Sequence, residues 1–313
     1  MIKFITKRIL YLFPLLFVVS IFIFALLRLN GTDAVLSYLV ASGITPTDEA
    51  IASAKAALGL DKPILTQYFI WIKQAIMLDF GSSFLTKRDI AADMLYYLPS
   101  TLKLAAFALF LTLIISIPLG IISAIYKDSY FDYFTRIISY LGVCTPNFWL
   151  GLMLIVIFSV KLDLLPPFGI GSFSHMIMPA IAISFMSIAI NIRLIRANML
   201  ENKNKRYIIY AKSRGLKNYQ IYINYIFKIS LFPIVTTLGM HIGELIGGAL
   251  IIENIFAYPG IGRYAVNAIS NNDYPVIQCF IIMMSFIFII LNLIIDILYA
   301  FIDPRVKKGM VEK

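Results

Sequence analysis

Two ionisable side chains stand three residues apart in a strongly apolar stretch of the sequence. His241 and Glu244 lie within residues 229–252, and on a helix this spacing puts both side chains on one face. An imidazole nitrogen and a carboxylate oxygen can together ligate a divalent transition-metal ion. The same pair can also hydrogen-bond each other or a neighbouring helix and brace a bundle. Charge among apolar residues makes a functional role the first expectation.

Asn147 is a third candidate, because it is a polar residue placed directly after Pro146 in another apolar stretch. Its amide could line a pathway for a solute. Alternatively, it could satisfy a backbone carbonyl that the proline leaves without a donor. Both interpretations remain open from the sequence.

Enzyme chemistry finds no support among the remaining residues. The HExxH pattern of zinc metalloproteases is missing around His241, and His175 is the only other histidine. Cys144 and Cys279, the only cysteines, both fall in apolar stretches, which argues against a disulfide framework. The chain carries no Walker sequence, so any ATP it depends on must be hydrolysed by another chain. We therefore predict a non-catalytic protein that binds no cofactor itself.

The composition places these residues in a lipid bilayer. Of 313 residues 60% are apolar and only 14% are charged, and the mean hydropathy is +0.86, well outside the range of soluble domains. The net charge of +10 could suggest nucleic acid, but the basic residues flank apolar stretches, as membrane topology requires. We predict an all-α membrane protein with no nucleic-acid partner.

Six apolar stretches are long enough to cross a hydrocarbon core about 30 Å thick. Basic residues cluster at the N-terminus, in 193–228 and in the C-terminal tail, so both termini and the loop 201–228 are predicted to be cytoplasmic. We expect kinks near Pro118, Pro146 and Pro233. The predicted spans are residues 9–27, 101–125, 133–160, 177–194, 229–252 and 276–302.

The predicted division of the chain follows from these spans. Residues 1–29 form the cytoplasmic N-terminal end and the first span, residues 30–98 an external subdomain, and residues 99–313 a five-helix core with the loop 201–228. Within the external part, residues 63–78 have helical spacing of apolar residues around Trp71, which indicates an amphipathic helix near the membrane surface.

The loop 201–228 is too polar to span a membrane and too regular for a tether. Ile208, Ala211 and Gly215 recur at i, i+3 and i+7, and an apolar face resumes at Ile221. The pattern predicts short helices around Gly215, which can end one helix in a tight turn. Such a helix pair could dock an apolar face on a soluble partner. It could equally lie on lipid headgroups.

The loop resembles the signature loop of ABC importer permeases, in the run AKSRGL (211–216) followed by ISLFP (229–233). Ile209 stands where many members have an acidic residue, and Tyr210 stands where they have alanine. Similarity to the dipeptide, oligopeptide and nickel group extends along most of the chain, through LGLDKPILTQYFIWI, TPNFWLG, IGGALIIENIFAYPGIGRYAVNAI, DYPVIQ and the closing DPR.

The resemblance implies the type I ABC importer fold with six transmembrane helices, in the bacterial cytoplasmic membrane. It implies a second homologous permease subunit, two ATPase subunits that carry ATP and Mg²⁺, and an extracytoplasmic substrate-binding protein. The loop would contact the ATPase through Tyr210, Ala211, Arg214, Gly215 and Leu216, with Leu231 and Pro233 completing the signature.

The stretches GMHIGELIGG and YPVIQC are most similar to the first permease subunit of Nik-type nickel importers. This similarity implies nickel ion or a nickel chelate as cargo. For such a cargo, the residue types predict His241 and Glu244 as metal ligands, and we expect His241, Glu244 and Asn147 to lie in the translocation pathway. Two alternatives stay open. The same architecture could import dipeptides or oligopeptides, or an ion-coupled secondary transporter could use Glu244 and Asp296.

Overall fold

The computed structural model describes residues 2–29 and 34–302. Over these residues every regular element is a helix, apart from an isolated bridge between Ser82 and Asp89, so the all-α prediction is confirmed. Two π-helical segments, Ile155–Lys161 and Ile221–Phe227, accompany the α-helices. The α-helices are α1 (Ile2–Leu29), α2 (Ala34–Ala41), α3 (Asp48–Ala57), α4 (Ile64–Ile76), α5 (Ile90–Ile125), α6 (Tyr130–Cys144), α7 (Asn147–Leu154), α8 (Ser174–Asn202), α9 (Arg206–Ser213), α10 (Asn218–Gln220), α11 (Lys228–Ile255), α12 (Ile261–Ser270) and α13 (Tyr274–Ile302).

Helices stand at all six predicted spans. In the described residues four segments are long and apolar enough to cross a membrane, and α6 with α7 makes a fifth if the bent pair is one span. The predicted fifth span falls on α11, whose 28 residues extend for about 42 Å at about 1.5 Å per residue. Several side chains of α11 lie outside the described residues. The four segments are Arg8–Leu29, Ile90–Ile125, Ser174–Asn202 and Tyr274–Ile297.

The third span is broken rather than kinked. The segments Tyr130–Cys144 and Asn147–Lys161 meet at 107°, because Pro146 has no N–H to donate and the helix cannot continue through it. Thr145 donates its hydroxyl to the carbonyl of Leu141 at 2.7 Å and so satisfies one acceptor that the break exposes. By contrast, helical structure continues through Pro118 in α5 and through Pro233 in α11.

One compact unit contains Ile2–Thr101 and Pro259–Ile290. Within it α4 confirms the helix predicted around Trp71, and its place at a membrane surface stays a prediction. The helix packs on α1, where the hydroxyls of Ser20 and Tyr68 are 2.8 Å apart. Since α5 begins at Ile90, the helix of the second span extends into the predicted external region, whose boundaries stay a prediction.

Buried polar contacts organise the rest of this unit. The carboxylate of Asp273 accepts hydrogen bonds from the Ser83 hydroxyl at 2.6 Å and from the Phe84 amide at 3.1 Å. On α12 the ring of Tyr264 stacks against Tyr97, with centroids 5.2 Å apart. Burial, and then the neighbouring Asp93 carboxylate, raise the pKa of the Tyr264 phenol, so this hydroxyl stays protonated.

The other unit contains Leu102–Tyr258 and the end of α13 from Leu291 to Ile302. Here α8 packs along α6, α7 and α11. Small residues allow a close approach, since a Cβ added to Gly142 of α6 would lie 2.6 Å from the Cβ of Ala189 on α8. The buried core centres on α8 and α11, with Ile183, Leu245, Ile252 and others. This packing fixes the two helices that carry the candidate functional residues.

Candidate functional site

His241 and Glu244 lie on α11 where it packs against α8. The His241 side chain is buried, and its Nε2 is 3.1 Å from Oδ1 of Asn191 on α8. Its Nδ1 is 3.3 Å from Oε2 of Glu244, about one turn further along α11. Ser187, one turn before Asn191, donates its hydroxyl to the same Glu244 oxygen at 3.4 Å. These four side chains are called the polar cluster below.

The polar cluster connects α8 and α11 with hydrogen bonds of the kind that hold membrane helices together. Ser187 and Asn191 are fully buried, whereas the Glu244 side chain is 32% exposed. The known contacts of Glu244 both reach Oε2, and Oε1 has no partner among the residues that the structure describes. The cluster therefore braces the two helices and leaves one carboxylate oxygen open.

The residues around His241 and Glu244 do not add support for a metal site. Across the described residues there is no group of three or more His, Cys, Asp or Glu side chains able to hold a metal ion. Both ring nitrogens of His241 already have polar neighbours. The assignment of His241 and Glu244 as metal ligands thus stays a prediction that rests on residue type.

Asn147 begins α7, directly after the break in the third span. Together with Pro146, Met186 of α8 and Ile251 of α11, it lines a pocket of about 320 Å³. Its side-chain nitrogen would lie 3.5 Å from a Cβ added to Gly248 of α11. The structure therefore brings Asn147 against the helix that carries His241 and Glu244, although Asn147 makes no contact with the polar cluster.

The loop folds into the short helices that its pattern predicts. Helix α9 ends before Gly215, whose φ of +75° lies in the left-handed region, and its amide donates to the carbonyl of Lys212 at 2.9 Å. A left-handed residue after a helix satisfies carbonyls that the helix end leaves free. Helix α10 and the π-helical segment Ile221–Phe227 follow and lead into α11.

The apolar face that was expected to dock on a partner is buried in the chain itself. Ile208 and Ala211 are buried with Ile195 and Met199 of α8 in a core of the same chain, so Ala211 supports the loop from within rather than from its surface. Arg214 and Gly215 are exposed and Leu216 is half-buried. The side chains of Leu231 and Pro233 lie outside the described residues. The large apolar side chains that the loop exposes, together called the loop face below, are Tyr207, Ile209, Tyr210, Tyr219, Ile223 and Tyr225.

Tyr207 is the member of the loop face whose surroundings favour the neutral phenol. Its hydroxyl donates to Oδ1 of Asn202 at 3.1 Å. Partial burial, and then the negative charge of Glu201, raise the pKa of this phenol. Tyr207 therefore adds a neutral aromatic ring to the loop face, which also carries the basic residues Lys212 and Arg214 beside it in the sequence.

A buried ion pair is the main structural feature that the sequence did not reveal. The Arg196 guanidinium of α8 donates to both carboxylate oxygens of Asp132 on α6, at 2.5 and 2.7 Å. Ser123 of α5 and the backbone amide of Asp128 also donate to this carboxylate, at 2.5 and 3.0 Å. Asp132 is fully buried and Arg196 is 18% exposed. In the sequence, the pair could have been suspected only from an acidic residue and an arginine, Asp132 and Arg196, that each lie close to an apolar stretch.

The comparisons with known proteins agree with this architecture. Residues 116–308 match the family described as binding-protein-dependent transport system inner membrane component. Residues 1–105 match its N-terminal counterpart, the binding-protein-dependent transport system membrane component, N-terminal region. The chain is also similar to the MetNI methionine ABC transporter in inward-facing conformations, with a TM-score of 0.57, 14% identity and coverage of 67% of this chain and 96% of that one. This likeness supports the fold.

Curated relatives match over almost the full chain. The dipeptide transport system permease protein DppB of Alkalihalophilus pseudofirmus is 34% identical, over 98% of this chain and 100% of the relative. The metal-staphylopine import system permease protein CntB of Staphylococcus aureus is 33% identical, over 99% of both chains. The probable D,D-dipeptide transport system permease protein DdpB of Escherichia coli is 33% identical, over 86% of this chain and 87% of the relative. The chain therefore belongs to the binding-protein-dependent transport system inner membrane component family, and it is a permease subunit of an ABC importer.

Proposed function

We propose that this permease subunit imports short peptides or small amino-acid-derived solutes. The observation that carries the proposal is the make-up of the polar cluster, in which one open carboxylate oxygen stands among hydrogen-bonding side chains. A metal ion needs more ligands than this cluster has among the described residues. A peptide needs only a few well-placed polar groups in a mostly apolar channel.

The names of the relatives support the same cargo class. Two are dipeptide permeases and one is a metal-staphylopine permease, and all three names point to a small organic molecule. A metal wrapped in an organic chelator is accordingly the second candidate, favoured by the likeness to CntB. Within that candidate, nickel would cross as a chelate, with no direct contact to His241 or Glu244.

The proposed mechanism is alternating access driven by partner ATPases. An external binding protein delivers the cargo, and two ATPase subunits, holding ATP and Mg²⁺, move together and displace the loop face. A second homologous permease subunit completes the pathway. Both termini and the loop lie on the cytoplasmic side of the bacterial membrane, in keeping with the basic residues around them.

Competition for uptake tests the cargo. The complete importer is reconstituted in proteoliposomes with its binding protein outside and ATP inside, and uptake of a radiolabelled dipeptide is measured. We expect excess unlabelled dipeptide to suppress uptake by about tenfold or more, as full competition at one site requires, and free nickel to have no effect. Uptake of radioactive nickel that needs no chelator and resists dipeptide would contradict the proposal.

A further inference from the structure

We propose that the Glu244 carboxylate receives the N-terminal ammonium group of the cargo during its passage. This inference rests on the proposed function, because it requires a cargo with a free amino group. The polar cluster would then be a cation-binding station as well as a brace between α8 and α11.

The first argument is the uneven burial of the polar cluster. His241 is 3% exposed and Ser187 and Asn191 are fully buried, whereas the Glu244 side chain is 32% exposed. A carboxylate within a membrane-spanning helix is costly unless it is paired or faces a wet cavity. The exposure of Glu244, on a helix that this family places inside a transporter, fits a carboxylate at the wall of the solute pathway.

The second argument is the arrangement of hydrogen bonds around the carboxylate. His241 and Ser187 both approach Oε2, at 3.3 and 3.4 Å, and Oε1 has no partner in the described part of the chain. His241 is itself held by Asn191 at 3.1 Å. Glu244 is thus the binding residue, and His241 is a positioning residue that fixes the carboxylate in one orientation with one acceptor open.

The third argument is the face of α11 on which Glu244 lies. Glu244, Gly248 and Ile251 follow one another at i, i+4 and i+7, and therefore share a side of the helix. Asn147 lies against Gly248, and Asn147 and Ile251 line the pocket of about 320 Å³. This volume is in the range of small-molecule sites. The carboxylate stands on the same helix side as a pocket that a small organic solute could enter.

The chemistry suits transient binding. An ammonium group donates up to three hydrogen bonds, and a charged carboxylate accepts them more strongly than a neutral amide does. A single such contact is strong enough to draw a cationic end into the membrane and weak enough to release it. Loss of a charge-assisted hydrogen bond lowers affinity by about tenfold to a hundredfold, and this range sets the size of the expected effect.

The test uses the complete importer with two cargoes, a dipeptide and the same dipeptide acetylated at its amino group. Each variant's uptake is divided by wild-type uptake of the same cargo, so the preference of the binding protein cancels. We expect Glu244→Gln to reduce dipeptide uptake at least about tenfold and uptake of the acetylated peptide much less. Glu244→Asp should retain most dipeptide uptake, and Glu49→Gln, a change at an exposed carboxylate on α3, should match wild type.

Several results would overturn the inference. Equal losses for both cargoes in an assembled importer would show that Glu244 acts only as a brace. If Glu244→Gln fails to co-purify with its partner subunits, the comparison is made with Glu244→Asp, and equal losses for both cargoes in that variant overturn the inference. Wild-type uptake in Glu244→Gln would also exclude a binding role. Uptake of the acetylated peptide could be too slow to measure, and then dipeptide uptake by Glu244→Asp replaces that comparison. If this variant, which keeps the negative charge, takes up dipeptide no faster than Glu244→Gln, the charge of residue 244 is not what binds the cargo. If the wild-type importer takes up no dipeptide, the proposed function itself fails.

Discussion

ATP hydrolysis stimulated by the loaded binding protein falls about tenfold when Gly215 is replaced by valine, if the loop transmits force as proposed. Gly215 has a φ of +75°, a region in which a β-branched residue is strained. Left-handed geometry costs an L-residue about 1–2 kcal/mol, which corresponds to a change of about tenfold in an equilibrium. The valine variant would relieve the strain by moving α9 away from α10, which would displace the loop face.

A matched control separates backbone geometry from crowding. Among the described residues nothing lies within 4 Å of a Cβ added to Gly215, so the first carbon of a new side chain is not crowded. Gly215→Asn, which tolerates the left-handed region, should therefore keep most of the stimulated ATP hydrolysis. Valine and asparagine variants that both match wild type would show that the turn at Gly215 does not matter for coupling.

Removal of Arg196 should destabilise the protein more than any other single change considered above. Arg196→Ala leaves the fully buried carboxylate of Asp132 without its main partner, and breaking a buried pair in this way costs about 3–5 kcal/mol. Thermal unfolding in detergent measures the loss. Arg193→Ala is the control, because Arg193 is exposed on the same helix and contacts only the face of Tyr140 among the described ring contacts.

A double variant tests whether the penalty arises from the unpaired charge. In Asp132→Asn/Arg196→Gln both charges are removed and two neutral amides can hydrogen-bond across the same gap. We expect this variant to recover a substantial part of the stability lost in Arg196→Ala. If Arg196→Ala unfolds at the wild-type temperature, the ion pair does not contribute to the stability of the helices it joins.

Much of the helical framework could be predicted because membrane spans depend on local composition. Every predicted span falls on helical segments, and the turn in the loop was predicted from Gly215 and the apolar spacing on either side of it. The break at Pro146 was predicted only as a kink. A proline within a helix removes one hydrogen bond, yet α11 continues through Pro233. Whether the helix bends or breaks therefore depends on the helices packed around the proline, which the local sequence does not reveal.

The contacts between helices were harder to predict. Asp132 and Arg196 are 64 residues apart, and the spacing on either helix does not indicate its partner. Asn191 was missed for the same reason, although the proximity of His241 to Glu244 followed from a three-residue spacing. The apolar stripe through Ile208 and Ala211 was detected, but periodicity does not reveal whether such a stripe faces its own chain or another. Here it faces its own chain.

Transport by the assembled importer tests the central claim most directly. Uptake of labelled dipeptide is measured, with the binding protein outside in both cases, in proteoliposomes that contain this chain with its second permease and ATPase subunits and in proteoliposomes that contain this chain alone. If the chain is powered through the loop, uptake requires ATP and the complete assembly, and a proton gradient does not replace ATP. Uptake by the chain alone, driven by a proton gradient without ATP, would contradict that mechanism and favour an ion-coupled secondary transporter.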